Sequence, residues 1–264
     1  MLQCGSFQFP AVVILLERSL KGSQMKAVFE KESVVSTSLC DFSGRLGHAA
    51  AFSLFMDLAG MHADELGVGA QAMFRRALFW LTVKTRILYL RRPQMGERVF
   101  LRTWPSPAER IRCIRNYEVR DPAGILLLCG KTEWAVLDTG TQAVRPMAGV
   151  YPEDLDFELA LACPEPFARI PDKYVGVEPY AEYRVRSTDI DIGGHMNNAA
   201  YVHTLIGSFS SEDIQAMDPH TIDVQFRRPC FEDELLSLQS LPADIGRDIR
   251  ISRSGETVLL ARIS

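Results

Sequence analysis

Asp191 and His195 stand four residues apart in the segment DIDIGGHMNNAAY at residues 189–201. Both carry bases that a protein environment can tune toward neutral pH, so either could take a proton from water. Gly193 and Gly194 lie between them, where a loop meets the start of a helix. Uncovered backbone N–H groups there, with a helix dipole behind them, could polarise a carbonyl, which makes the amides around Gly194 and His195 candidate oxyanion donors. Asn197 and Asn198 follow, and either can cap orphan amides of that helix. Further on, FRRPCFED at residues 226–233 carries Cys230 and Glu232. Cys230 could attack as a thiolate with His195 as its base. Glu232 could reach the same place if the strand bulges after Pro229. Direct attack by water, activated by Asp191 or His195, is the preferred route. Asp189 reads as a loop-bonding residue, and His62, His203 and His220 carry no pattern.

A helix and a sheet must hold these groups, and both are legible. Phe52, Phe55, Ala59, Ala63 and Leu66 recur at three- and four-residue spacings, one face of a helix, with Gly67 as its stop. Tyr201, Val202, Leu205, Ile206 and Phe209 give a second such stripe. Strand-like segments follow each helix: 78–90, 99–104, 110–120 and 125–138 after the first, 222–227, 235–241, 248–252 and 257–263 after the second. Turn residues at 121–124 and 254–255 predict hairpins, hence antiparallel sheets and an α+β fold.

The chain repeats itself in order. DFSGRLGHAAAF at 41–52 precedes the first helix as DIDIGGHMNNAAY precedes the second, and LRRPQMGE at 90–97 is echoed by FRRPCFED. Matched on Gly-His, the repeat sets His48 against His195, with Ala49-Ala50 in place of Asn197-Asn198. The first half then reads as pocket and scaffold. Residues 145–179 between the halves hold six prolines among acidic residues, a composition that resists regular structure. The organisation predicted is a non-core extension over 1–24, a first module over 25–145, a linker over 146–179 and a second module over 180–264.

Bulk properties narrow the class. A length of 264 residues suits two modules, and 47% apolar with 23% charged residues is ordinary for a globular chain. No apolar run reaches the roughly 20 residues of a membrane helix, and the interrupted stretch at residues 7–16 makes a poor signal peptide. A net charge of −4 gives no reason to expect nucleic acid. The six cysteines form no CxxC pair, which argues against zinc and leaves reduced thiols in a cytoplasmic protein as the expectation.

A helix wrapped by an antiparallel sheet, present twice and preceded by such a loop, resembles the tandem hot-dog arrangement of acyl-ACP thioesterases. The likeness runs from about Phe29 onward through RRPQMGERVFLRTW (91–104), NYEVRDPAG (116–124) and TEWAVLDTGTQAVRP (132–146), and DIDIGGHMNN is similar to the family signature Asp-x-Asn-x-His-x-Asn-Asn. The resemblance implies hydrolysis of a fatty acyl thioester on acyl carrier protein, the acyl group hanging from phosphopantetheine, with no cofactor and no metal. It places Asp191, His195, Asn197 and Asn198 on signature positions. Gly193 stands where asparagine is expected, and Arg227-Arg228-Pro229-Cys230 where the family reads Arg-Arg-Glu-Cys. The acyl chain is expected beside the first helix and sheet, with Phe52, Phe55, Met56, Phe79 and Trp80 as walls. Lys84, Arg86, Arg91, Arg92, Arg227 and Arg228 are candidate cations for the phosphate and the acidic carrier. Two alternatives stay open: a hot-dog thioesterase acting on acyl-coenzyme A, and an acyl-binding homologue without catalysis, motivated by Gly193 and Pro229. A tandem pair can satisfy internally what single modules achieve by dimerising, so monomer and homodimer are both open.

Overall fold

A computed structural model of the chain describes residues 27–264. The expected extension over residues 1–24 lies outside the described residues. The first half runs β1 (Phe29–Val34), a 3-10 turn (Thr37–Leu39), α1 (His48–Glu65), α2 (Ala70–Arg75), β2 (Leu78–Tyr89), β3 (Arg98–Pro105), β4 (Cys113–Arg120), β5 (Leu126–Asp138) and the short β6 (Val144–Arg145). The second repeats the series as β7 (Ala181–Arg184), a 3-10 turn (Ser187–Asp189), α3 (Asn198–Gly207), α4 (Ser211–Met217), β8 (Thr221–Phe226), β9 (Leu235–Pro242), β10 (Arg247–Arg253) and β11 (Glu256–Ile263).

All strands join one antiparallel sheet in the order β1-β3-β4-β5-β2-β8-β11-β10-β9-β7, with β6 on β5. The second half of that order mirrors the first, so β2 and β8 meet at a pseudo-two-fold seam. There Arg86 pairs with Asp223 in register, and their side chains form an ion pair at 2.6 Å. The two halves therefore share a sheet and a core, to which Phe52, Phe55 and Leu58 of α1 and Tyr201, Val202 and Leu205 of α3 all contribute. Mid-strand Gly130 lets α1 come close: a Cβ there would lie 2.6 Å from the Phe55 ring. Phe55 instead stacks on Tyr117 with centroids 4.6 Å apart.

The predicted helices and eight of the strands are found within a few residues of their expected ends. The sequence reading missed β1, β7 and the two-residue β6, short strands that each pair with a single neighbour. In β1, the sequence FEKESV keeps its charges outward and ties Glu30 and Glu32 to Arg102 and Arg98 of β3. Residues 146–180 form neither helix nor strand. They nevertheless pack along the sheet, with the Trp104 indole N–H donating to the Ala160 carbonyl at 2.8 Å and the Ala168 N–H donating to Asp223 at 3.0 Å. Among the described residues no helix is long and apolar enough to cross a membrane.

The repeat is offset differently from its Gly-His matching. In the first loop the Asp41 N–H donates to the Arg45 carbonyl, and in the second the Asp191 N–H donates to the His195 carbonyl, at 2.9 and 3.0 Å. Gly44 and Gly194 both take a left-handed turn, with φ of 70° and 78°. Gly47 caps α1 where Asn197 caps α3. His195 therefore answers to Arg45 and Asn198 to His48, residue for residue, which corrects the pairing of His48 with His195. Hydrogen-bond geometry, rather than a shared dipeptide, fixes the register. The arginine motifs shift likewise: the Leu46 N–H bonds Pro93 as the Met196 N–H bonds Cys230, both at 2.8 Å, so Arg92 answers to Pro229.

Candidate functional site

The loop before α3 folds tightly on Asp191. Its Oδ1 accepts the Gly193 N–H at 2.7 Å, and its carbonyl accepts the Gly194 N–H at 3.0 Å. This turn brings the His195 imidazole back over the loop, with Nδ1 3.6 Å from Asp191 Oδ1. That separation is an electrostatic contact rather than a hydrogen bond. Both side chains are about one-third exposed, at 29% and 33%, so solvent reaches the pair. Phe79 of β2 meets the imidazole edge-on, with centroids 5.7 Å apart.

Helix α3 begins here for a local reason. Asn197 Oδ1 accepts the Ala200 N–H at 2.8 Å, and its amide donates to the Asp189 carbonyl at 2.9 Å, so Asn197 is the cap and a clamp on the loop. Asn198 does something else: its amide donates to Thr82 Oγ1, across the seam in β2, at 2.7 Å. Thr82 sits beside a β-bulge at Val83, where the register of β2 on β5 slips by one. The sequence reading missed Thr82. The alternation of buried residues, which changes parity across Val83, is its signal in hindsight.

Asp191, His195 and Asn198 open on a cavity of about 640 Å³, a size usual for small-molecule sites. The first half supplies one wall, from Phe74 of α2, from residues 79–83 of β2, and from Leu137, Thr139 and Gln142 at the end of β5. The second half supplies the other, from Tyr201 and from residues 226–229 and Phe231. The lining is largely apolar, with Asp191, His195 and Asn198 at the loop and Thr139, Gln142, Arg227 and Arg228 as polar groups on the walls. β2 is twice as long as β8, and its extra residues are the ones that build this wall.

The expected wall residues divide. Phe79, Trp80, Arg227 and Arg228 line the cavity. Phe52, Phe55 and Met56 do not: Phe52 and Phe55 are buried in the core and Met56 packs against it. Phe52 stands behind the wall residue Phe226, with centroids 6.3 Å apart. The apolar stripe of α1 is consumed by packing because the helix is enclosed by the sheet.

Cys230 is fully buried and is not among the cavity-lining residues. Burial pushes its thiol up, which disfavours a thiolate. Its carbonyl holds the loop through the Met196 N–H. Glu232 is exposed on the turn between Phe231 and Glu234 and is absent from the lining. The carboxylate turned inward beside it is Glu234, which accepts the Phe231 N–H at 2.9 Å and pairs with Arg253 at 3.0 Å. Gly194 spends its N–H inside the loop, whereas the His195 N–H has no partner among the described residues.

Four of the six candidate cations are already paired: Arg86 with Asp223, Arg91 with Glu97, Arg92 with Asp41, and Arg228 with Glu256. Lys84 lies over the Phe167 ring, 5.6 Å from its centroid. Arg227 lines the cavity, is exposed, and makes no ion pair among the described residues. No cluster of metal-ligating side chains occurs among the described residues.

In the first half the equivalent loop is chemically closed. Although burial opposes it, hydrogen bonds from Ser43 and Arg92 hold the Asp41 carboxyl below the usual carboxylate range. His48, in the place of Asn198, is buried with its ring edge-on to Tyr89, and burial lowers it to about 4, so it stays neutral.

Comparison with known proteins places this geometry. The family model described as the acyl-ACP thioesterase N-terminal domain matches residues 26–153, and that of the C-terminal domain matches residues 174–259. Oleoyl-acyl carrier protein thioesterase 1, chloroplastic, of Arabidopsis thaliana is 25% identical over 211 residues, covering 74% of this chain and 58% of that protein. The chain thus spans little more than half the length of that relative. A crystal structure of an acyl-ACP thioesterase from Bacteroides thetaiotaomicron superposes with a TM-score of 0.82 at 21% identity, covering 92% of this chain and 99% of that one. The 12:0-ACP thioesterase from Umbellularia californica gives 0.76 at 18%, covering 90% and 97%. At such identities the structures speak for the shared tandem hot-dog fold alone. The two family models, matched in order over most of its length, are what assign the chain: it belongs to the acyl-ACP thioesterase family.

Proposed function

We propose that this chain hydrolyses the thioester of a fatty acyl group carried on acyl carrier protein, releasing the fatty acid and the free carrier thiol. The observation that carries the reading is the Asp191–His195 pair, which opens on an apolar cavity built by both halves. Family membership supplies the substrate class.

In this reading the acyl chain lies against Phe79, Trp80 and Phe226, and the thioester carbonyl sits beside the loop. The Asp191–His195 pair takes a proton from water as its oxygen adds to the carbonyl carbon. The His195 N–H, which has no partner among the described residues, is the candidate donor to the developing oxyanion. Collapse of the tetrahedral intermediate breaks the C–S bond, and the proton taken from water passes to the leaving thiolate. Cys230 has no part in it, since a buried thiol outside the cavity cannot reach the carbonyl. Arg227 is the cation placed to meet the phosphopantetheine phosphate.

The test is thiol release from matched panels of acyl-ACP and acyl-coenzyme A thioesters. Turnover with a higher kcat/KM on the carrier-linked series supports the reading. Preference for coenzyme A would move the chain to the other hot-dog thioesterases, and inactivity on every thioester would favour a non-catalytic acyl-binding protein.

A further inference from the structure

The two equivalent loops form an internal comparison, and they differ most informatively at one position. In the first loop that position is Ser43, whose N–H and hydroxyl both donate to Asp41 Oδ1, at 2.9 and 2.6 Å. In the second it is Gly193, which makes the backbone bond to Asp191 Oδ1 and has no side chain to make the other. A Cβ built on Gly193 would lie 2.8 Å from His195 Cε1, 3.2 Å from His195 Nε2 and 3.0 Å from Asp191 Oδ1. The imidazole therefore occupies the volume that a side chain at 193 needs. The backbone does not demand glycine there, since the positive φ belongs to Gly194 and not to Gly193.

We propose that Gly193 is a positioning residue: the missing side chain lets the His195 ring lie across the loop and face Asp191. The proposal rests on the thioesterase reading and concerns the base of that same site. In the first loop, Ser43 and Arg92 satisfy the aspartate and Arg45 points to solvent. In the second, the bare position leaves Asp191 Oδ1 open to His195 and brackets the ring between residue 193 and Phe79. A serine at 193 would do to Asp191 what Ser43 does to Asp41, filling the ring's place and taking the oxygen that faces Nδ1.

The experiment compares Gly193→Ala and Gly193→Ser with wild type in the full chain. The expected result is a kcat on acyl-ACP lower by about 10- to 100-fold, a loss of general-base efficiency, with KM within about twofold and no fall in melting temperature. In parallel, proton NMR of the wild type shows a through-space contact between the Gly193 Hα and His195 Hε1 protons, and the variants lose it. Unchanged kcat in Gly193→Ala, or a wild type without that contact, overturns the proposal. Should the wild type hydrolyse no thioester, the functional reading falls and the NMR contact alone decides this one.

Discussion

Pro229 holds in the second half the place that Arg92 holds in the first. Arg92 pairs with Asp41 and, with Ser43, silences it as a base. Proline at 229 brings no charge to Asp191, which is left with His195. A duplicated fold thus has one aspartate held by an arginine and one that faces a histidine across its loop.

Putting the cation back should close the second loop as well. Pro229→Arg is expected to pair with Asp191 and lower kcat by about 100-fold or more, the scale of losing a general base. Turnover of acyl-ACP and the melting temperature, measured together, check it. A variant that folds and keeps full turnover would show that Asp191 is not the group that matters.

The two candidate nucleophiles separate cleanly. Asp191→Ala and His195→Ala should each lower kcat by about 10²- to 10⁴-fold. Cys230→Ala should leave turnover within about threefold and destabilise the fold by about 1–2 kcal/mol, as small buried truncations do. Equal loss of turnover in all three would return the thiolate mechanism.

Arg227→Ala should raise KM for acyl-ACP about 5- to 20-fold, the loss of one charge-assisted contact, with kcat nearly unchanged. Short acyl thioesters without a phosphate should be hydrolysed as before. Sensitivity of both substrate types to the same extent would remove Arg227 from phosphate binding.

Thr82→Val keeps the shape of the side chain and removes the oxygen that the Asn198 amide donates to. Leaving that amide unsatisfied is expected to cost about 1–3 kcal/mol of stability. Chemical denaturation measures it, and a loss below about 0.5 kcal/mol would mean that the cross-seam bond is replaced by solvent.

The Asp41–Arg92 pair gives a pH signature. Asp41 is held low in the folded chain, so its contribution is present above the ordinary aspartate range and is lost as pH falls through the folded-state value. Arg92→Ala should therefore be less stable than wild type at pH 7 in chemical denaturation, by about 1–3 kcal/mol for a charged, partly buried hydrogen bond. The gap should narrow in acid. A constant gap across that range would assign the loss to packing.

Legibility in the sequence followed the range of the interactions. Helices α1 and α3 and the paired strands of each half were readable because side-chain periodicity and turn residues act within a few residues of one another. The Asp191–His195 spacing was readable for the same reason, since one tight turn sets it. The charged outer strands β1 and β7 were not, because only their partners β3 and β9 make them strands.

What the sequence by itself determined is the duplicated helix-and-strand order and the loop that carries Asp191 and His195, both products of local bonding. The tertiary structure alone decided the rest. The β2–β8 seam put Thr82 against Asn198, enclosure by the sheet turned Phe52 and Phe55 into core, burial withdrew Cys230, and long-range ion pairs consumed Arg86, Arg92 and Arg228. Each of those outcomes depends on sheet register and on charges distant in the chain, which residue spacing does not encode.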